Sequence, residues 1–296
     1  MRKATIADRL EYAAFASVMA AAGRLSQERA ERMGASLGRL AYHRIKLRRR
    51  EVEEHLRLSF PEQDTHWRDR IAEAAYAHLG RESVAMLLLS RASRADIARR
   101  VRHEVGRERF VDAYSAGRGV VLVGGHIGNW ELGAASLAAQ GMHVEAIYQP
   151  QRNPLFDAAV VQARRRLGVE LIRRAEASKH ALERLRQGAI VCFVSDQNAG
   201  RTGIFVPFLG RPASTHRGAA LLAVRAGAPL FVGAAVREGD HYQGITQEIT
   251  TAREGDLDQA VQRLTAAFTA YLEELVRRWP EQYFWHHRRW KTKERP

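Results

Sequence analysis

From about residue 118 onward, short β-branched runs alternate with helical segments, and no other feature of the chain restricts its possible folds as much. Val120-Val121-Leu122-Val123 reads as a buried strand, and Leu132 to Gln140 as a helix ended by Gly141. Val144 to Tyr148 and Val169 to Ile172 are strand-like, with a helical Leu155 to Leu167 between them. Ser178 to Gln187 reads as a helix stopped by Gly188, Ile190 to Val194 as a strand, and Arg217 to Ala226 as a helix stopped by Gly227. Leu230 to Val236 and Tyr242 to Thr250 form an expected strand pair, and Leu257 to Trp279 a long closing helix. Alternation of this kind predicts an α/β fold, a sheet flanked by helices. The first hundred residues read as helices. Ser26 opens a run with Leu37, Leu40 and Ala41 at helical spacing, the pattern continues through Val52 and Leu56 to a stop at Pro61, and Thr65 is the expected cap of the next helix. The expected organisation is one domain over 1–296, with a helical membrane-docking part over 1–100 and an α/β catalytic part over 101–296.

Hydrophobic residues at 46% and charged residues at 27% are enough for a sizeable core in 296 residues, which excludes a disordered chain. The single cysteine, Cys192, excludes an internal disulfide framework and a multi-cysteine zinc site. The apolar run Tyr12 to Ala22 is shorter than the ~20 residues that span a bilayer. The chain is therefore expected to be cytosolic, or bound to a membrane surface without crossing it. Its formal net charge is +14, unevenly placed: residues 1–60 carry 13 Lys/Arg against 7 acids, and residues 277–296 carry 7 against 2. Such a charge favours anionic partners, namely nucleic acid, phosphorylated ligands or an acidic membrane. Two basic ends on a near-neutral body predict a docking surface built from both termini. Tyr283, Phe284, Trp285 and Trp290, interleaved with Arg288, Arg289, Lys291 and Lys293, suit a lipid headgroup interface, and equally a single-stranded nucleic acid.

In open α/β sheets ligands bind beyond the C-terminal ends of strands. The first strand of the α/β part runs into Gly124-Gly125-His126-Ile127-Gly128-Asn129-Trp130-Glu131. Glycines around one histidine describe a tight turn that a substrate can approach closely. Positions five apart on a regular helix lie about 140° apart. His126 and Glu131 can therefore pair only if His126 lies in the loop and Glu131 points back from the helix start. An imidazole so placed can act as a general base, with the carboxylate fixing its tautomer. A structural histidine beside a solvated glutamate is the alternative. The chain has no G-x-x-x-x-G-K-[ST], no H-E-x-x-H and no G-x-S-x-G, which counts against a P-loop, a zincin and an α/β-hydrolase. Cys192, in an apolar strand, is expected in the core. Asp196 also closes a strand and can meet His126 across the sheet edge, where it would position the histidine or the acceptor; a turn-forming role is the alternative.

The stretch G-G-H-I-G-N-W-E-L resembles the H-x-x-x-x-[DE] motif of glycerolipid and lipid A acyltransferases. It is most similar to the bacterial lipid A biosynthesis (lauroyl/myristoyl) acyltransferase family, which includes phosphatidylinositol mannoside acyltransferases. The similarity keeps its order along the chain: Arg48 to Glu62, then Tyr148, Pro150, Asn153 and Pro154, then Arg164 and Arg166, Asp196 and Gly200, Phe205 to Thr215, and Pro280 to Thr292. The resemblance implies a glycerolipid-acyltransferase-like mixed sheet flanked by helices. It implies acyl transfer from an acyl carrier protein or acyl-CoA thioester to a hydroxyl of a membrane glycolipid acceptor, a lipid A precursor first and a phosphatidylinositol mannoside or other glycolipid as the alternative. No metal or other cofactor is implied, nor is nucleic acid a partner; a non-enzymatic basic binding protein would leave the His126/Glu131 spacing unexplained. Peripheral attachment to an anionic membrane surface is expected, at the cytoplasmic face of the inner membrane. On this chain His126 is the implied base and Glu131 its orienting carboxylate, with Arg152, Asn153, Arg164, Arg166, Asp196 and Thr215 as implied substrate-binding residues.

Overall fold

The computed structural model describes residues 2–89, 92–251 and 255–294. The N-terminal region is helical: α1 (Ile6–Ala22), α2 (Gln27–Leu40), α3 (Arg49–Ser59), α4 (Thr65–Leu89) and α5 (Arg94–Arg100). The α/β region follows as β1 (Val101–Val105), α6 (Arg107–Ser115), β2 (Val120–Gly124), α7 (Trp130–Ala139), β3 (Val144–Tyr148), α8 (Pro154–Arg166), β4 (Val169–Arg173), α9 (Ala177–Arg186) and β5 (Ile190–Val194). After these come a two-stranded hairpin, β6 (Ile204–Phe208) and β7 (Arg211–Thr215), then α10 (Gly218–Ala226), β8 (Leu230–Glu238), β9 (His241–Glu248) and α11 (Leu257–Arg278). The sheet has seven strands in the order β1-β9-β8-β2-β5-β3-β4, parallel except where β8 meets β9.

The core strands are the apolar runs of the sequence, because strands covered on both faces must be apolar throughout. Val120 to Val123 alternate between two cores. Val121 and Val123 face α10, α11 and the C-terminal segment, while Val120 and Leu122 face α6 and α7. From β2 the chain crosses over β5 to reach β3, and from β5 it crosses back over β2 to reach β8. These opposed crossovers open a crevice beyond the C-terminal ends of β2 and β5.

The helical region departs from its expected packing. Leu37 and Leu40, on the presumed apolar face of α2, are exposed, and the helix instead buries Ala30, Gly34, Ala35 and Gly38. Glycine permits this face to close on α4 backbone to backbone. A Cβ on Gly38 would lie 2.0 Å from the Tyr76 carbonyl oxygen, and one on Gly80 2.2 Å from that of Gly34. The start of α4 is capped by Asp64, whose Oδ1 accepts from the Trp67 N–H at 2.6 Å, and not by Thr65.

A buried polar network ties α4 to the sheet. Glu82 accepts from Arg237 Nε (2.8 Å), Tyr242 Oη (2.6 Å) and Asn129 Nδ2 (2.8 Å), and Arg237 also pairs with Glu31 at 3.0 Å. Desolvation pushes the Glu82 carboxyl upward, but His78, Arg237 and Tyr242 outweigh it and hold its pKa below the usual carboxylate range. Removing one partner of such a pair strands a buried charge. Glu82→Ala is expected to destabilise the fold by about 3–5 kcal/mol, read as a lower urea midpoint; a midpoint equal to wild type would contradict the network's role.

Candidate active site

The sheet builds the site through register. Gly124 on β2 pairs with Val194 on β5, and the Ser195 N–H still donates to the Gly124 carbonyl at 3.1 Å. His126 and Asp196 each lie two residues beyond that pair, on adjacent parallel strands. His126 Nδ1 and Asp196 Oδ1 are 2.7 Å apart, and the His126 backbone N–H donates to Asp196 Oδ2 at 2.8 Å. The carboxylate therefore fixes both the imidazole and the turn that carries it. Nδ1–H donates to Asp196, which leaves the Nε2 lone pair toward the cleft. Trp130 packs edge-on to the imidazole at 4.8 Å, and Phe284 lies 5.8 Å away on another side.

The expected Glu131 partner of His126 is thus replaced by Asp196. Asn129 caps α7 by accepting from the Leu132 N–H at 2.8 Å, so Glu131 sits within the first helical turn. From there its carboxylate takes a two-pronged ion pair with Arg164, with Nε at 2.8 Å from Oε2, and accepts from Trp130 Nε1 at 3.2 Å. Burial disfavours the imidazolium. The charge and hydrogen bond of Asp196 outweigh that cost, and Glu131 adds to them, so the His126 pKa is raised. Asp196 is held below the usual carboxylate range, against its desolvation, by the same partner.

His126 opens onto a cleft whose walls include Tyr148, Gln149, Gln151, Arg164, Arg174, Gln197, His216 and Arg217. Past Trp130, Phe193 and Val194 this cleft shares its walls with a second, apolar cavity. That cavity lies between the sheet and α7, and small residues make the room: Gly124, Gly133, Ala134, Ala146, Gly233 and Ala234. Cys192 lines it too, and burial pushes its thiol up to about 12, which suits an inert wall residue.

The family model for bacterial lipid A biosynthesis acyltransferases matches residues 2–292. The chain belongs to that family. It is similar to the lipid A biosynthesis lauroyltransferase of Escherichia coli K12, 32% identical over 272 residues that cover 88% of this chain and 85% of the relative. The palmitoleoyltransferase of the same organism is 30% identical over 269 residues, with 88% and 84% covered. A phosphatidylinositol mannoside acyltransferase of Mycobacterium tuberculosis H37Rv is 30% identical over 149 residues, 46% of this chain and 44% of its own length.

Several other residues of this acyltransferase that were expected to bind substrate are committed to the fold. Asn153 is buried: its Oδ1 caps α8 at the Leu155 N–H (3.0 Å), and its Nδ2 donates to the Asp8 carbonyl (3.0 Å) and to Glu11 (2.9 Å), which pins α1. Thr215 is fully buried, with Oγ1 between the Ala213 carbonyl and Arg289. Arg152 is exposed, its carbonyl accepts from Arg2, and the cleft wall passes through Gln151 instead. Arg166 is exposed on the far side of α8 from Arg164, as two residues' separation on a helix requires.

The C-terminal segment is also corrected. Tyr283, Trp285, Arg289 and Trp290 are buried, so they form no headgroup interface. The basic ends do meet, but as packing: Arg288 pairs with Glu51 at 2.6 Å, and Arg48 donates to the His286 carbonyl at 3.0 Å; Arg295 lies outside the described residues. This segment clamps the loop after β5. Arg289 donates to the Gln197 and Ser214 carbonyls, and His287 Nε2 accepts from the Asn198 N–H at 2.9 Å. Phe284 N–H holds the His126 carbonyl at 2.9 Å. Composition hid these roles, because burial of an arginine depends on partners far along the chain. Asn129, directly before the helix, is the one missed residue with a local signal.

In Asp196→Asn, desolvation of His126 loses its main opposition. The imidazole pKa is then expected to fall from above to below its ordinary value of about 6.5, followed as the His126 ring-proton resonance against pH. An unchanged titration would show that the pair does not govern this base.

Proposed function

We propose that this family member moves a fatty acyl group from an acyl carrier protein or acyl-CoA thioester to a hydroxyl of a membrane glycolipid, a lipid A precursor. The observation that carries this reading is the His126–Asp196 pair at a cleft that shares a wall with an apolar cavity. A phosphatidylinositol mannoside is disfavoured as the acceptor, because the mannoside acyltransferase likenesses span about half of this chain and the lauroyltransferase likeness most of it.

The acceptor O–H gives its proton to His126 Nε2 as its oxygen attacks the thioester carbonyl carbon. The carbon–oxygen bond forms, the tetrahedral intermediate collapses with loss of the carbon–sulfur bond, and Nε2–H returns the proton to the departing thiolate. Asp196 holds the tautomer and stabilises the imidazolium between these steps. A thioester is already activated, so one base and charge stabilisation suffice, with no further cofactor. Glu131 is proposed to act through Arg164: it aims the guanidinium into the cleft and adds negative potential at the imidazolium. Arg164, with Arg174 and Arg217, makes the cleft suited to an anionic glycolipid. The acyl chain is proposed to occupy the apolar cavity.

Among the described residues no helix is long and apolar enough to cross a membrane. We place the enzyme peripherally on an anionic membrane surface, at the cytoplasmic face of the inner membrane. The docking element we propose is α1, whose outward face carries Ile6 and Leu10, 78% and 68% exposed, on a terminal region of net positive charge. Its other face is fixed beside the cleft: Phe15 packs on Phe156 at 4.5 Å, and Arg2 reaches the carbonyl of Arg152, next to Gln151.

Incubation with long-chain acyl carrier protein or acyl-CoA and a lipid A precursor should yield a lipid heavier by one acyl group. His126→Ala should lower the rate by about 10²–10⁴-fold; transfer at the wild-type rate would overturn the mechanism. Ala134→Leu, which narrows the cavity, should lower kcat/KM for long-chain donors by at least about 10-fold relative to shorter ones. An unaltered chain-length profile would remove the acyl chain from this cavity. Ile6→Glu with Leu10→Glu should reduce flotation on anionic vesicles, and undiminished flotation would exclude α1 as the docking element.

A further inference from the structure

We propose that Gln197 is a catalytic residue: its side-chain amide lies beside His126 Nε2, where the acceptor hydroxyl must bind, and supplies an N–H to the oxyanion during transfer. The inference rests on the acyl-transfer reading above.

Gln197 Nε2 stands 3.4 Å from His126 Nε2. Nδ1–H is committed to Asp196 at 2.7 Å, so in the neutral ring Nε2 is an acceptor and the amide N–H is its complement. The contact is long for a hydrogen bond, and an incoming hydroxyl can displace it at small cost. The amide marks where the nucleophile's proton must sit.

The backbone beneath Gln197 is held on every side. Its carbonyl accepts from Arg289 at 3.3 Å, and the next N–H, of Asn198, donates to His287. The Asn198 amide donates to Thr292 Oγ1 at 3.0 Å, and the Ala199 N–H donates to the Ser214 carbonyl at 3.1 Å. The amide thus swings on a fixed hinge along the cleft wall, where its side chain is half-buried. When the acceptor oxygen takes the hydrogen-bonding place at Nε2, the thioester carbonyl is one bond further out. Its oxygen gains negative charge as the new carbon–oxygen bond forms, within reach of an amide displaced only that far.

Three other polar groups of the cleft suit this task less well. Arg164 spends two nitrogens on Glu131, and Arg217 pairs with Asp258. His216 is depressed to about 4 by burial and by Arg174, and is neutral at working pH. A neutral N–H aimed at a charge that exists only during reaction stabilises the transition state more than the ground state, and therefore acts on kcat.

The test uses the whole protein with acyl carrier protein thioester and lipid A precursor, comparing wild type, Gln197→Met, Gln197→Glu and His126→Ala. Gln197→Met keeps the size and lacks the N–H; kcat should fall about 10²-fold with the donor KM within about threefold and the thermal midpoint unchanged. Gln197→Glu should be at least as slow, with its acid limb moved to higher pH because the new carboxylate holds the His126 proton. Independently of turnover, the ¹⁵N resonance of neutral His126 Nε2 should move downfield in Gln197→Met as its hydrogen bond is lost. A kcat within threefold of wild type, a loss confined to KM, or an unmoved Nε2 resonance would overturn the proposal while His126→Ala remains inactive. Wild-type transfer matched by His126→Ala would overturn the acyl-transfer mechanism beneath it as well.

Discussion

The pairing of β2 with β5 is the constraint on which the site depends. Parallel strands carry their ends in the same direction, so residues equally far beyond one paired position emerge side by side. The Gly124–Val194 pair is that position, and His126 and Asp196 are its second successors. The crossovers that leave these two strands run in opposite directions, and the cleft lies beyond their C-terminal ends. A buried carboxylate is costly unless paired, and here it accepts from both the ring and the backbone N–H of the histidine. The same bonds that make Asp196 tolerable in the core hold the base in one tautomer.

Distant segments then converge on the turn after β2. Helix α4 reaches it from the N-terminal region, where His78 Nε2 lies 3.3 Å from the Gly128 carbonyl oxygen and Glu82 holds Asn129, the cap of α7. The C-terminal segment reaches it from the other side, through Phe284 on the His126 carbonyl and through the clamp on the loop that follows Asp196. Gly128, at a positive φ, comes so close to β8 that a Cβ would stand 2.0 Å from the Ala235 carbonyl oxygen. The glycine is therefore a packing requirement as well as a turn former. The helical region is accordingly more than an attachment to the sheet; it forms one wall of the turn.

The strands from Val120 onward were legible because uninterrupted β-branched runs have few other ways to be buried, and His126 was legible because glycines crowd around it. Asp196 could be placed near His126 for the same reason, as the end of a neighbouring run. The partner of Glu131 was not legible: it depends on the phase of α7 after its Asn129 cap and on an arginine 33 residues away. Strands β1 and β7 were missed because Val101-Arg102-His103-Glu104-Val105 and Arg211-Pro212-Ala213 lack an apolar run, and β6 because Pro207 interrupts its apolar run. The C-terminal segment misled in the opposite sense. Aromatic and basic residues look the same in sequence whether they meet lipid or, as with Arg211 over Trp290 at 3.6 Å, one another inside the protein.

Two carboxylates near one base raise the question of why only one should take its proton. Glu131 is neutralised by a two-pronged pair with Arg164, so it offers the imidazolium a field without competing for the same hydrogen bond. Of the two carboxylates, only Asp196 hydrogen-bonds the ring. Together they raise the pKa of His126, which lowers the fraction of neutral base at a given pH and strengthens the base once neutral. For the proposed transfer, efficiency favours such a compromise when the pKa lies near the operating pH, because an alcohol proton is hard to remove and a thiolate leaves readily. Arg164 then has two effects: its charge slightly opposes protonation of His126, and its free edge lines the cleft where an anionic acceptor would lie. In the proposed reaction, binding of such an anion would offset the Arg164 charge and favour the imidazolium further, so the acceptor itself would strengthen the proposed base.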